Sequence, residues 1–110
     1  MDVVLINPGN AGKIYQKLSK VYSAIEPPTW LLMLAESCRS IGLKVSIIDA
    51  NAEFLEHKDV LKRINELAPK FICFVVYGQN VNAGTTNMSG AVHISEYLKK
   101  HIKPPISVIG

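Results

Sequence analysis

Four short stretches of the chain are apolar almost without a break: DVVLIN (2–7), KVSIID (44–49), FICFVVY (71–77) and ISVIG (106–110). They are rich in Val, Ile and Phe and do not alternate with polar residues. That is the pattern of strands buried on both faces, as in a parallel sheet. Between them the apolar positions recur at helical spacing. In PPTWLLMLAESCRSIG, Leu31, Leu34, Ala35, Cys38 and Ile41 fall on one stripe, and Gly42 is placed to close the helix. In EHKDVLKRINELAP, Val60, Leu61, Ile64 and Leu67 repeat in the same way, with Pro69 after the end. Met88, Ala91, Val92, Ser95, Leu98 and Ile102 form a third stripe in NMSGAVHISEYLKKHIKPP.

The order is strand, helix, strand, helix, strand, helix, strand. It predicts one α/β domain over residues 1–110, an open parallel sheet with right-handed crossovers and helices on both faces. The expected strand order is 2-1-3-4. Two connections are long for such a unit: residues 8–27, and residues 78–85, GQNVNAGT. With that strand order both flank the switch point between the first and third strands, where ligands of this architecture bind beyond the carboxyl ends of the strands.

Composition narrows the classes. With 110 residues, 48% of them hydrophobic, the chain is long enough for one core and too short for two. No apolar run is long enough to span a membrane, and MDVVLINPGN has neither a basic leader nor a cleavage pattern, so a cytoplasmic protein with no membrane partner is expected. Cys38 and Cys73 lie in separate apolar segments and read as buried free thiols. The net charge of +3 is mild; basic residues gather in KHIKPP and LKR without aromatic interleaving, so nucleic acid is not an expected partner and the charges read as solvated helix faces.

The stretch INPGNAGKIY (6–15) has the look of a phosphate loop but fails as one. Gly9 and Gly12 enclose only two residues, Ile14 stands where a hydroxyl is needed, and the next helix starts only at Pro27–Pro28. A receiver domain needs an acidic cluster after the first strand, where this chain has Asn7–Pro8. A flavodoxin phosphate loop needs hydroxyls that NPGNAGK lacks, and no dinucleotide fingerprint occurs.

Taken together, VLINPGN, EPPTWLLMLAESCRSIGLKVSIIDANAE, FICFVVYGQNVNAG and ISVIG resemble the amino-terminal cobalamin-binding domain of cobalamin-dependent radical SAM enzymes. In that family a strand ends in Asn-Pro, Pro-Pro precedes a leucine-rich helix, and a Gly-x-x-Val strand ends in Asp-Ala. A strand ending near an aromatic residue or Ser follows, then one running into Gly-Gly. The resemblance implies a flavodoxin-like (Rossmann-like) fold with a corrin lying on the carboxyl edge of the sheet. A flat, mostly apolar ring rimmed with amides needs a broad wall and scattered hydrogen-bond partners. Asn7, Asp49, Gln79, Asn80 and Asn82 are candidates for such partners; Pro8, Gly9, Gly78, Gly84 and Gly110 for close backbone approach; Trp30 and Tyr77 for flat surface. The plainer alternatives are strand ends and turns for the Asn, Gly and Asp positions, with Asp49 bracing a loop, and a core position for Trp30.

Two departures shape the expectation. Cobalamin-dependent mutases and methionine synthases of this fold carry D-x-H-x-x-G, whose histidine ligates cobalt, and residues 8–27 contain no histidine. His57, His93 and His101 fall on expected helices, so no residue of the chain is assigned to metal. The iron–sulfur motif C-x-x-x-C-x-x-C is also missing, and two cysteines cannot hold a cluster. The expected role is therefore a cobalamin-binding module with no catalytic residue of its own. It would be an amino-terminal piece of a longer radical SAM enzyme, such as a methyltransferase, whose 4Fe-4S cluster and S-adenosylmethionine lie in a separate domain. An isolated piece of this kind is expected to self-associate through uncovered apolar surface. The alternative is a non-catalytic flavodoxin-like interaction or regulatory module.

Overall fold

The computed structural model describes residues 1–8, 29–76 and 81–109. Four strands, β1 (Val3–Asn7), β2 (Val45–Asp49), β3 (Phe71–Val75) and β4 (Ile106–Ile109), alternate with helices α1 (Thr29–Ser40), α2 (His57–Leu67) and α3 (Val81–Lys99). All neighbouring strands pair in parallel, in the order β2-β1-β3-β4. This is the α/β flavodoxin-like fold that the apolar runs and intervening helices predict.

β1, like β3, is an inner strand. Its register sets Val3 beside Val45 on one side and Phe71 on the other, and carries Asn7 alongside Asp49. The alternating side chains of the strands build two separate cores. On one face Val4, Ile6, Ile48, Ile72 and Phe74 meet Val60 and Ile64 of α2 and Ala91, Ile94 and Leu98 of α3. On the other, Leu5, Cys73 and Val75 meet Leu31 and Ala35 of α1. One helix therefore covers one face and two cover the other, as right-handed crossovers require for this strand order. Cys38 and Cys73 are both free thiols; burial raises the pKa of Cys73, partly offset by a hydrogen bond with Ser107.

Local chemistry sets the helix ends. α1 closes in a Schellman turn: Leu43 N–H donates to the Cys38 carbonyl (3.1 Å), Gly42 N–H donates to that of Arg39 (3.0 Å), and Gly42 takes φ +90°. Ile41 is thereby carried off the expected stripe and stands 76% exposed. α2 starts where the Asp59 carboxylate accepts the Glu56 backbone N–H (3.1 Å), and ends on Ala68 at φ 48°.

α3 corrects the sequence reading twice. It starts at Val81, so Asn82 and Gly84 belong to a helix rather than to a loop over 78–85. The buried contacts of Ala91, Ile94 and Leu98 anchor the helix downstream, and upstream turns add to an existing nucleus. Glycine's cost of about 1 kcal/mol then does not stop propagation. The buried stripe is Ala91–Ile94–Leu98, with Met88 and Val92 exposed to one side of it.

The α2–α3 seam carries a titratable stack. The His57 ring lies 5.6 Å from that of Tyr97, which lies 4.9 Å from that of His101. The pKa of His57 is lowered, first by burial and then by His93, with Glu56 opposing. The folded value thus lies below the unfolded one of about 6.5. The contribution of His57 is fully present above that value and is lost as pH falls from it through the lowered one, because the unfolded chain takes up the proton first. Urea midpoints should therefore drop between neutral pH and about pH 5 in the wild type, and drop less in His57→Gln.

Candidate functional site

The carboxyl ends of β1 and β2 place two polar side chains together on the α1 face. Asn7, only 8% exposed, donates from Nδ2 to Asp49 Oδ1 at 3.0 Å. The same oxygen accepts the Ala52 N–H, also at 3.0 Å. Among the described residues Asp49 Oδ2 has no hydrogen-bond partner. The backbone fixes this corner: Ala50 N–H donates to the Asn7 carbonyl (3.0 Å), Glu53 N–H to that of Asp49 (3.1 Å) and Leu55 N–H to that of Ala50 (3.0 Å). Pro8, buried and without an N–H, follows Asn7 directly. Asp49 thus braces the turn after β2 with one oxygen and leaves the other oxygen unbonded within the described structure.

α1 runs antiparallel to the strands, so its first residues lie at this same carboxyl edge. Leu31 is buried against Leu5, Cys73 and Val75, and fixes the helix on the sheet. Trp30 beside it is 53% exposed, and Leu32 and Met33 are 50% and 57% exposed. The alternative of a core position for Trp30 is therefore not met: the burial of Leu31 turns the indole toward the surface. Leu32 and Met33 were missed as candidates. Their signal is the run Trp30 to Leu34, five large apolar residues in succession, whereas a helix on a sheet buries about three in seven. The excess must face outward.

Of the other expected site residues, Asn82 and Gly84 are placed on the first turns of α3, after β3. Gly9, Tyr77, Gly78, Gln79, Asn80 and Gly110 lie outside the described residues, as does most of the long connection over 8–27. β3 closes with Val76 N–H donating to the Ile109 carbonyl at 2.8 Å.

The turn that Asp49 braces is tied to α2 by a bidentate pair, in which Arg63 donates to both Glu53 oxygens at 2.7 and 2.8 Å. Glu56 and Asp59 lie at the start of that helix. Among the described residues, Glu53, Glu56 and Asp59 furnish hydrogen-bond acceptors near this turn, with Arg63 and Lys58 paired to the first two. A shallow depression of about 410 Å³ along α2, lined by Lys58, Leu61, Lys62, Asn65 and Glu66, is separate from the strand ends. Among the described residues no three His, Cys, Asp or Glu side chains converge as metal ligands. No described helix is long and apolar enough to cross a membrane.

Asn7→Asp tests the geometry of the corner. It sets a second carboxylate against Asp49, and the two then share a proton, with one pKa raised. Stability linked to that raised pKa is present at low pH and lost as pH rises through it. Relative to the wild type, the variant should have a depressed urea midpoint at neutral pH, by the equivalent of about 1–3 kcal/mol, and recover at acidic pH.

Comparison with protein-family models, with curated proteins and with solved structures gives no match. The functional reading therefore stands on the corner and on the motifs around it.

Proposed function

We propose that the chain is a cobalamin-binding module that works with a separate iron–sulfur and S-adenosylmethionine domain. The reading is supported by one juxtaposition above all. A fixed amide–carboxylate pair stands at the carboxyl end of β1, on the edge where the exposed apolar start of α1 also lies. In a sheet of order 2-1-3-4 that edge, at the β1/β3 switch, is where ligands bind. A flat macrocycle edged with amides suits this mixture of polar points and apolar wall better than a phosphorylated ligand does, because the described edge has acceptors and no cluster of cations.

Asn7 and the second oxygen of Asp49 would hold amide groups, and Trp30 with Met33, one turn on, would furnish apolar surface. When bound, cobalamin supplies a cobalt centre able to carry a methyl group or to take part in a radical rearrangement. The residues of this chain bind and shield; none acts as general acid, base or nucleophile. Cys38, half-buried on α1, and Cys73, buried in β3, are too few for an iron–sulfur cluster, which belongs to the separate domain.

Incubation with cobalamin, desalting and a visible spectrum test the reading. The expected outcome is retained cobalamin, with affinity roughly tenfold weaker in Asp49→Ala, the change expected for a lost hydrogen bond to a charged group. Failure both of this chain and of a longer protein containing it to retain cobalamin would sink the proposal and leave a flavodoxin-like interaction module. The reading also carries a spectroscopic prediction. The connection over 8–27 contains no histidine, and amide or ammonium groups are poor cobalt ligands. Cobalamin bound here would have lost its own base and gained no histidine in its place, so electron paramagnetic resonance of the cob(II)alamin complex should show cobalt lines without nitrogen splitting. Triplets would mean that the cofactor's own base, or one of His57, His93 and His101, is coordinated.

A further inference from the structure

The opposite edge of the sheet gathers cations that are scattered along the sequence. Arg39 lies in the last turn of α1 and Lys44 precedes β2; Lys70 precedes β3; Lys99, Lys100 and Lys103 lie between the end of α3 and β4. All six are exposed. Backbone bonds tie these connections side by side: Val3 N–H donates to the Lys44 carbonyl (3.1 Å), Lys70 N–H to that of Met1 (3.1 Å) and Ile72 N–H to that of Pro105 (3.0 Å). The acids at this end are Asp2, Glu66 and Glu96. Asp2 is held by the Lys44 N–H at 2.8 Å and by Lys70 Nζ at 3.7 Å, and its pKa is lowered, chiefly by the hydrogen bond from Lys44. Toward the carboxyl end the described acids Asp49, Glu53, Glu56 and Asp59 stand with Lys58 and Arg63, which pair with Glu56 and Glu53.

Arg39 and Lys99 also complement the carboxyl ends of their helices. Lys44, Lys70 and Lys103 lie beyond the helices and have no such role. Among these cations stands Ile41, the most exposed of the described large apolar residues, on the α1–β2 turn with Leu43. We propose that this amino-terminal edge is a docking surface for an anionic lipid bilayer, with the lysines over the headgroups and Ile41 entering the interface.

The residue types favour lipid over other polyanions. Five of the six cations are lysines, compact point charges that suit a diffuse layer of headgroups and are depleted at protein–protein interfaces. A nucleic-acid backbone would leave Ile41 and Leu43 without apolar contact. Stable attachment to a bilayer needs two signals, basic charge and buried apolar surface, and this edge has both. Docking through this edge would turn the opposite edge, with Asn7 and Asp49, away from the membrane, open to a ligand or a second domain.

Co-sedimentation of the full chain with vesicles decides the matter. It should bind phosphatidylserine/phosphatidylcholine vesicles at low salt, bind pure phosphatidylcholine weakly, and release as salt screens the charges. Each cation near the surface is worth roughly fivefold in partitioning, so Lys44→Gln with Lys103→Gln should weaken binding at least about tenfold. Arg39→Gln with Lys100→Gln takes charge from different positions and should do the same, so a folding defect in one variant does not decide the result. Lys58→Gln with Lys62→Gln, on α2, should bind like the wild type, and Ile41→Asp should weaken binding. No binding to the anionic vesicles, unchanged binding in both amino-edge variants, or tighter binding to duplex DNA than to the vesicles would overturn the proposal.

Discussion

The pairing of β1 with strands on both sides constrains everything else in this fold. Val4, Leu5 and Ile6 are buried because β2 and β3 close the edges of β1 while helices close its faces. A strand enclosed in this way cannot carry a polar side chain until it leaves the core. Asn7 is the first residue that can, and the register delivers it to Asp49, the last residue of the neighbouring strand. The hydrogen bond between them follows from the ladder: moving β2 by one residue would turn Asp49 to the other face and separate the two groups.

The same constraint explains why the architecture is legible in the sequence. The inner strands β1 and β3 are enclosed on both faces and are written as continuous apolar runs; the edge strands β2 and β4 are only partly buried, with Val108 and Ile109 exposed, yet their runs form strands too. Gly42 also reads correctly, because a left-handed residue after a helix has a strong residue preference. What the sequence leaves ambiguous is weakly encoded. The start of α3 passes through Asn82 and Gly84, whose propensities argue for a loop, yet the packing of residues ten positions later decides the matter. Trp30 is ambiguous between surface and core for a related reason: hydrophobicity shows that a residue prefers burial, and only the position of its neighbour Leu31 shows which of the two is buried.

The candidate corner was half legible. Asn7, Pro8 and Asp49 stand out because polar or ring-closed residues interrupt or end apolar strands. Their mutual contact depends on a parallel register across 42 residues of sequence separation, which spacing alone does not supply. The division of Asp49 between two tasks was not legible either. One oxygen is used to hold Asn7 and the Ala52 amide, and the other has no partner among the described residues. Bracing a turn and offering an acceptor are not exclusive here, because the geometry allows a single carboxylate to do both.

The charge at the other edge was the least visible feature in the sequence, and the cause is again topological. Along the chain, Arg39, Lys44, Lys70 and Lys103 are spaced by intervals with no common period, and each reads as an ordinary solvated residue. In a parallel sheet every strand starts at the same edge, so residues before successive strands are neighbours however far apart they are in sequence. The crossover helices add their own carboxyl ends to that edge and their amino ends to the other. Basic residues are favoured at the first and acidic residues at the second. Each local preference contributes little. The parallel topology aligns them, which gathers the basic residues at one end of the described structure, and the Asn7–Asp49 corner lies at the other.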